Sequence, residues 1–214
     1  MFGNFNLMTT IYTIPGILLA FTFHEYAHAY VADKLGDNTP RFQGRLTLNP
    51  LVHIDIMGFI MIIIFHFGWA KPVETNPRNF KHYYKDDLLV SIAGVIGNLI
   101  VALISAIVLG ILIKISPMIT SEFLYTIMGI VYKLVYYTIY INCILAIFNL
   151  LPVPGLDGFH ILRDLFPKTI EPLYYKVQRY QIFIILIVVY FAGYIISTPA
   201  ILLFSLFLKI ANII

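Results

Sequence analysis

The chain has 214 residues, is 60% hydrophobic and only 12% charged, and its mean hydropathy is +0.86. A soluble globular domain is roughly 45–50% apolar and ~25% charged, so this composition excludes that class and points to an integral membrane protein. The net charge is +3, with no basic tail and no nucleic-acid-binding motif, which sets aside a nucleic-acid partner.

The first apolar run predicts a membrane span from Leu7 to about Leu35, ended by Asp33, Lys34 and Gly36. It lacks the basic start and small-residue cleavage site of a removable signal peptide. Inside it lies "HEYAHAY", residues 24–30. On a helix, i and i+4 share a face, so His24 and His28 can point at one metal ion. Two helical histidines and one further protein ligand leave a fourth position open, which is how catalytic zinc sites are built. Zn²⁺ lowers the pKa of water towards ~7 and so supplies a nucleophile at neutral pH. Glu25 follows the first histidine and is placed to take the proton of that water. At ~1.5 Å per residue, His28 and His24 lie ~8 and ~14 Å below the end of the span marked by Asp33. Ionisable groups at that depth are expensive and mark function.

A polar connection follows. Its alternating stretch "RFQGRLTLN", residues 41–49, reads as a short strand. The apolar run 54–68 is too short for a full span and reads as a re-entrant element. Residues 69–87 are polar and punctuated by proline, hence a loop. A second span is expected from Leu88 to Ile113 and a third from about Tyr125 to Leu151, stopped by Pro152 and Pro154. A polar segment covers 163–179. A last apolar stretch, about 181–208, is interrupted near Pro199 and forms one bent span or two shorter ones. The expected architecture is an all-α polytopic membrane protein. It has about four to six transmembrane helices and a short re-entrant, strand-like element between the first two long spans. Residues 1–214 form a single integral-membrane domain. Cys143 is the only cysteine, so no intrachain disulfide is possible.

Eleven of the 14 Lys and Arg residues fall in three connecting segments, 33–53, 68–87 and 161–179. The positive-inside rule puts all three in the cytoplasm if 54–68 dips in and returns. Both termini are then outside, and the site lies in the cell membrane towards its cytoplasmic side.

A third metal ligand is needed. "NLLPVPGLDGFH", residues 149–160, drops out of regular structure and carries Asp157. A carboxylate there is tolerated where it lines an enclosed or water-filled cavity. Asp157 is the expected ligand, with His53, His66 and His160 as competitors. In the second span Ser91, Gly94, Asn98, Ala102 and Ser105 fall on or near one face, where small residues admit a neighbouring helix.

Taken together, these pieces resemble the site-2 protease family of zinc metalloproteases that cut within transmembrane segments. The matches are His24-Glu25-xx-His28, Gly94-xxx-Asn98 and Asn149…Pro152-x-Pro154-x-Leu156-Asp157-Gly158. "RLTLNPLVHID" and "GWAKPV" resemble its short bacterial and archaeal branch without appended domains. The resemblance implies one Zn²⁺ per chain held by His24, His28 and Asp157, with Glu25 as catalytic acid/base and Asn98 near the substrate or oxyanion. It implies a transmembrane protein as substrate, and likens the 41–48 region to elements that hold unwound substrate by strand addition. The competing function is a divalent-metal carrier built on the same His/His/Asp cluster. Carriers favour paired repeats with interrupted helices, and no repeat is visible.

Overall fold

A computed structural model describes residues 7–65 and 67–214; His66, one of the competing ligands, lies outside them. Helix α1 (Leu7–Lys34) ends with Lys34 in its last turn, where a cation meets the negative end of the helix dipole. Helices α5 (Tyr83–Ile115) and α6 (Glu122–Asn149) are, among the described residues, the two long and apolar enough to cross a membrane. They form an antiparallel pair joined by a 3₁₀ turn at Ser116–Met118. Small residues let α1 lie against both. A Cβ on Gly97 would stand 2.8 Å from the Phe23 carbonyl oxygen, and one on Gly16 2.9 Å from Thr138 Cα. Side chains at those points would force the helices apart, so close packing drives their association where lipid offers no hydrophobic gradient.

An apolar core lies in one half of the bundle. Ala102, Ala106 and Leu109 of α5 pack there on Ile139 and Cys143 of α6, and on Phe204 of α10 (Ser197–Ile213). The outer faces are themselves apolar. Ile96, Ile100, Ile104 and Ile111 of α5 are exposed, which is a surface suited to lipid and not to water.

The expected strand at 41–48 does not form, and no strand occurs among the described residues. Pro40 opens a one-turn helix, α2 (Thr39–Phe42), because proline at the first helical positions sacrifices no hydrogen bond. Gly44 then turns the chain at φ +67°. Asn49 caps another single turn, α3 (Pro50–His53), by accepting from Leu51 N–H. Alternation alone misled here, since among the described residues no neighbouring strand lies alongside 41–48 to pair with it. The apolar run becomes α4 (Ile56–Phe65). Its flanks meet: Ile54 pairs with Ala70 in an isolated antiparallel bridge, and Lys71 N–H donates to His53 O at 2.9 Å.

After α6, Pro152 and Pro154 prevent a further turn and Gly155 reverses the chain at φ +95°. Helix α7 (Asp157–Leu165) then starts on an aspartate, the charge that suits a helix N-terminus. Helix α8 (Pro167–Val177) follows. The last apolar stretch is two helices, α9 (Gln181–Ile195) and α10. The break falls at Ile196, and Pro199 sits in the first turn of α10, where its missing N–H is harmless. The first turn of α9 lies against Gly155, and beyond its end Ile196 and Ala200 form a cluster packed by Ile144, Ile147, Phe148 and Leu151 at the close of α6. Both ends of α9 therefore lie at the same end of the bundle.

Candidate metal centre and active site

His24, Glu25 and His28 are buried where α1 faces α5. A Cβ on Gly94 of α5 would run into both imidazoles, so the ring pair occupies space that only glycine leaves open. The two Nε2 atoms are 3.1 Å apart. Asp157 comes from the start of α7, its Oδ2 3.4 Å from His24 Nε2 and its Oδ1 3.4 Å from His28 Nε2. His24, His28 and Asp157 form one group whose ligand atoms all lie within 4.8 Å of one another.

The tautomers follow from the partners. His28 Nδ1 lies 2.7 Å from Val90 O; a carbonyl only accepts, so Nδ1 carries the hydrogen and Nε2 is a bare lone pair in the neutral ring. His24 Nδ1 lies 2.9 Å from Asn98 Oδ1. The Asn98 Nδ2 group donates to Ala20 O and to Asn142 Oδ1, each at 3.1 Å. Asn142 Nδ2 in turn donates to Thr138 O at 2.8 Å. Two backbone carbonyls thus fix the orientation of both amides, and Asn98 must accept from His24 Nδ1–H. Two lone pairs and a carboxylate then converge with no hydrogen between them, and Asp157 Oδ2 is buried without a hydrogen-bond partner. A donor set of this kind attracts a cation, and two imidazoles with one carboxylate suit zinc. The outward nitrogens of both histidines are tied down, as metal-binding histidines require.

Glu25 stands outside the ligand group. Its Oε2 accepts the Val73 N–H at 2.7 Å, which engages one of its two carboxylate oxygens. Asn98, implied by the resemblance to sit near substrate or oxyanion, has both amide hydrogens engaged within the protein, and its oxygen serves His24.

Of the competing histidines, His53 is fully buried and its Nε2 bonds Thr47 O at 2.8 Å, so it pins the 47–53 loop. His160 packs near the Tyr174 ring, 6.1 Å between centroids. It lines a polar cavity of about 280 Å³ with Asp87, Arg163, Glu171, Tyr83 and Thr75. Neither joins the ligand group.

Several supporting residues escaped the sequence reading. Arg163 ties α7, and with it Asp157, to Asp87 of α5, and also pairs with Asp164 at 2.7 Å. Burial pushes the Asp164 carboxyl up to about 7 against the opposing pull of Arg163. Asp37, fully buried, accepts from Thr39, Asn76 and Asn79. Burial raises its pKa, but these hydrogen bonds outweigh burial and hold the carboxyl below its usual range. Asn142 did have a signal, a polar amide in the apolar run of α6. Arg45 and Val73 had none, since only the folded loops bring them to the site.

The profile described as Peptidase family M50 matches residues 12–192, a range that holds every residue of this centre. The chain is 40% identical over 188 residues to "Putative zinc metalloprotease YwhC" of Bacillus subtilis, covering 86% of this chain and 83% of that relative. It is 29% identical over 168 residues to "Putative zinc metalloprotease Rip2" of Mycolicibacterium smegmatis, covering 74% of this chain and 59% of the relative. The Rip2 protein of Mycobacterium tuberculosis is 27% identical over 164 residues, with the same coverage. No solved structure matches significantly.

Proposed function

The chain belongs to peptidase family M50, the site-2 protease family, and is a zinc metalloprotease; from that premise we propose that it cleaves membrane proteins within or near their transmembrane segments. One observation carries this reading. His24, His28, Asp157 and the buried Glu25 lie inside a bundle whose outer faces are apolar, which supports chemistry at a depth that a membrane-embedded peptide bond can reach.

In this proposal His24, His28 and Asp157 hold one zinc ion per chain. Bound zinc lowers the pKa of water and polarises a carbonyl oxygen. Glu25 takes the proton of the attacking water on Oε1, because Oε2 is occupied by Val73 N–H, and delivers it to the leaving amine nitrogen. Asn98, backed by Asn142, keeps His24 in the tautomer that leaves Nε2 free.

The whole chain acts as one membrane domain, with α1, α5, α6 and α10 crossing and α4 re-entering. Two features support re-entry. The Ile54–Ala70 bridge brings the two flanks of α4 together. A ten-residue helix is ~15 Å long, half of a ~30 Å hydrocarbon layer. The common location of both ends of α9 supports its lying along the membrane surface or only partly within it. The three basic segments favour a site towards the cytoplasm.

The test is cleavage of a membrane-spanning peptide by detergent-purified protein. Wild type is expected to cut, to stop with a chelator and to recover with zinc. Glu25→Gln is expected to keep zinc and the fold but lose cleavage. Near wild-type cleavage by that variant would overturn the role of Glu25. A carrier built on the same cluster would bind zinc and cut nothing.

A further inference from the structure

We propose that Arg45 is a positioning residue that aims the Val73 N–H at Glu25 by gripping the other end of the same peptide group. The inference rests on Glu25 being the acid/base of the reaction.

Arg45 is only 4% exposed, and among the described residues it has no carboxylate partner within ion-pair distance. A buried cation without a counter-charge is expensive unless fixed dipoles take its place. Here the dipoles are three carbonyls. The guanidinium donates to Val52 O, to Lys71 O at 2.8 Å and to Pro72 O at 2.5 Å. They come from two segments, 52 and 71–72, which a planar fork of five donors can bridge and a compact ammonium cannot.

The Pro72 carbonyl and the Val73 N–H belong to one peptide group. No peptide bond in the described chain is cis. In a planar trans group C=O and N–H point in opposite directions. A guanidinium holding the oxygen therefore fixes where the hydrogen points, and it points at Glu25 Oε2, 2.7 Å from the nitrogen. Pro72 narrows the backbone freedom leading into this group through its fixed φ. The cation on the oxygen also polarises the group and strengthens the N–H as a donor. Both ends of the segment are anchored, by Lys71 N–H on His53 O at 2.9 Å and by Asn76 N–H on Asp37 Oδ2 at 2.6 Å. The stretches "RLTLNPLVHID" and "GWAKPV" thus meet in one device. The first supplies the guanidinium and the second the peptide it orients.

The experiment compares wild type, Arg45→Lys and Pro72→Gly, each purified in detergent and loaded with zinc. Hydrogen exchange at the amides of residues 73–76 reads the clamp, and steady-state cleavage of a membrane-spanning peptide reads its consequence. Arg45→Lys is expected to keep zinc content and cooperative melting, to exchange at Val73 at least tenfold faster, and to lose kcat ten- to a hundredfold with KM unchanged. Pro72→Gly leaves Arg45 in place and loosens only the peptide group. It is expected to accelerate exchange at Val73 by a smaller factor, and it decides the matter if Arg45→Lys fails to fold. Unchanged exchange at Val73 in both variants overturns the proposal. So does an Arg45→Lys protein whose kcat falls only in proportion to lost zinc. A wild type whose Val73 amide is protected but which cleaves nothing upholds the clamp and tells against the protease reading instead.

Discussion

Helix α5 passes through two interiors built on different terms. Around residues 91–98 its neighbours are imidazoles, amides and carboxylates, held by specific hydrogen bonds: Asn98 alone serves His24, Ala20 and Asn142. Around 102–110 its neighbours are mostly apolar, and Leu109 and Ala106 share one core cluster with Phe204, Phe207 and Ala211. The same helix and the same partner α6 supply both. The polar half works by a chain of single hydrogen bonds, where removing one member changes what the next can do. The apolar half works by many weak contacts, each replaceable in part by its neighbours. Damage in the first half should therefore abolish chemistry and spare the fold, and damage in the second should do the reverse.

The largest effect expected is at Gly94. Gly94→Ala places a methyl group against both imidazoles, and neither ring can retreat without giving up Val90 O or Asn98. Most of the bound zinc should be lost while helix content by circular dichroism stays intact. Gly129→Ala is the control, because a Cβ there meets no atom within 4 Å; zinc and activity should be unchanged. Full zinc in Gly94→Ala would mean that the rings repack freely and that the polar half is not the rigid one.

Asn142→Leu comes next. It removes the acceptor for one Asn98 hydrogen and leaves Ala20 O alone to hold that amide in place. Outer-shell changes of this kind cost about 10–100-fold in metal affinity. Competition with a chelator of known affinity should read a loss in that range, with the melting temperature little changed. If affinity holds and melting collapses, Asn142 belongs with the apolar half instead.

The two halves also differ in how far they could be read in advance. His24, Glu25 and His28 are local, since helical spacing alone puts the histidines on one face. Asp157 was legible because prolines and a glycine break the chain where a polar group needs a reason. The long apolar helices α5 and α6 were legible because their apolar runs are long. Arg45 was one cation among those of the 33–53 segment, yet it is buried on the carbonyls of Val52, Lys71 and Pro72. No pattern within 41–49 encodes that. The same stretch looked like a strand because alternation records which residues are apolar, not whether a second strand lies alongside. The role of Asn98 turned on Asn142, 44 residues away in sequence, and pairings of that range appear only when the helices are packed.

Leu109→Ala sharpens the other side of the comparison. Leu109 is fully buried, and truncation of a buried leucine costs about 2–5 kcal/mol through lost contacts and the cavity left behind. Thermal unfolding in detergent should show a lower melting temperature. Zinc bound per folded chain and kcat at low temperature should match wild type. A fall in zinc per folded chain would show that the apolar half transmits strain to the metal centre, and the division drawn here would fail.

The smallest effect expected is a pH dependence at the edge of the polar half. Arg163 lies between Asp87 and Asp164, all three buried. Two carboxylates and one guanidinium leave an excess negative charge, which burial disfavours. Asp164 is the group that responds: burial pushes its carboxyl up to about 7, with Arg163 pulling the other way. In the unfolded chain an aspartate titrates near ~3.9. Between those values the folded protein holds a proton that the unfolded chain has released. Stability from this group is therefore fully present below the unfolded value and is lost as pH rises through about 7. The melting temperature of wild type should fall between pH 5 and pH 8 by a few degrees more than that of Asp164→Asn. The asparagine keeps an oxygen for Arg163 and carries no charge at either pH, so its curve isolates this one proton from the other titrating groups. An identical slope in both proteins would place the proton elsewhere. A steeper wild-type slope accompanied by zinc loss would mean that the Arg163–Asp87 tie, which holds α7 and Asp157 against α5, loosens as Asp164 ionises.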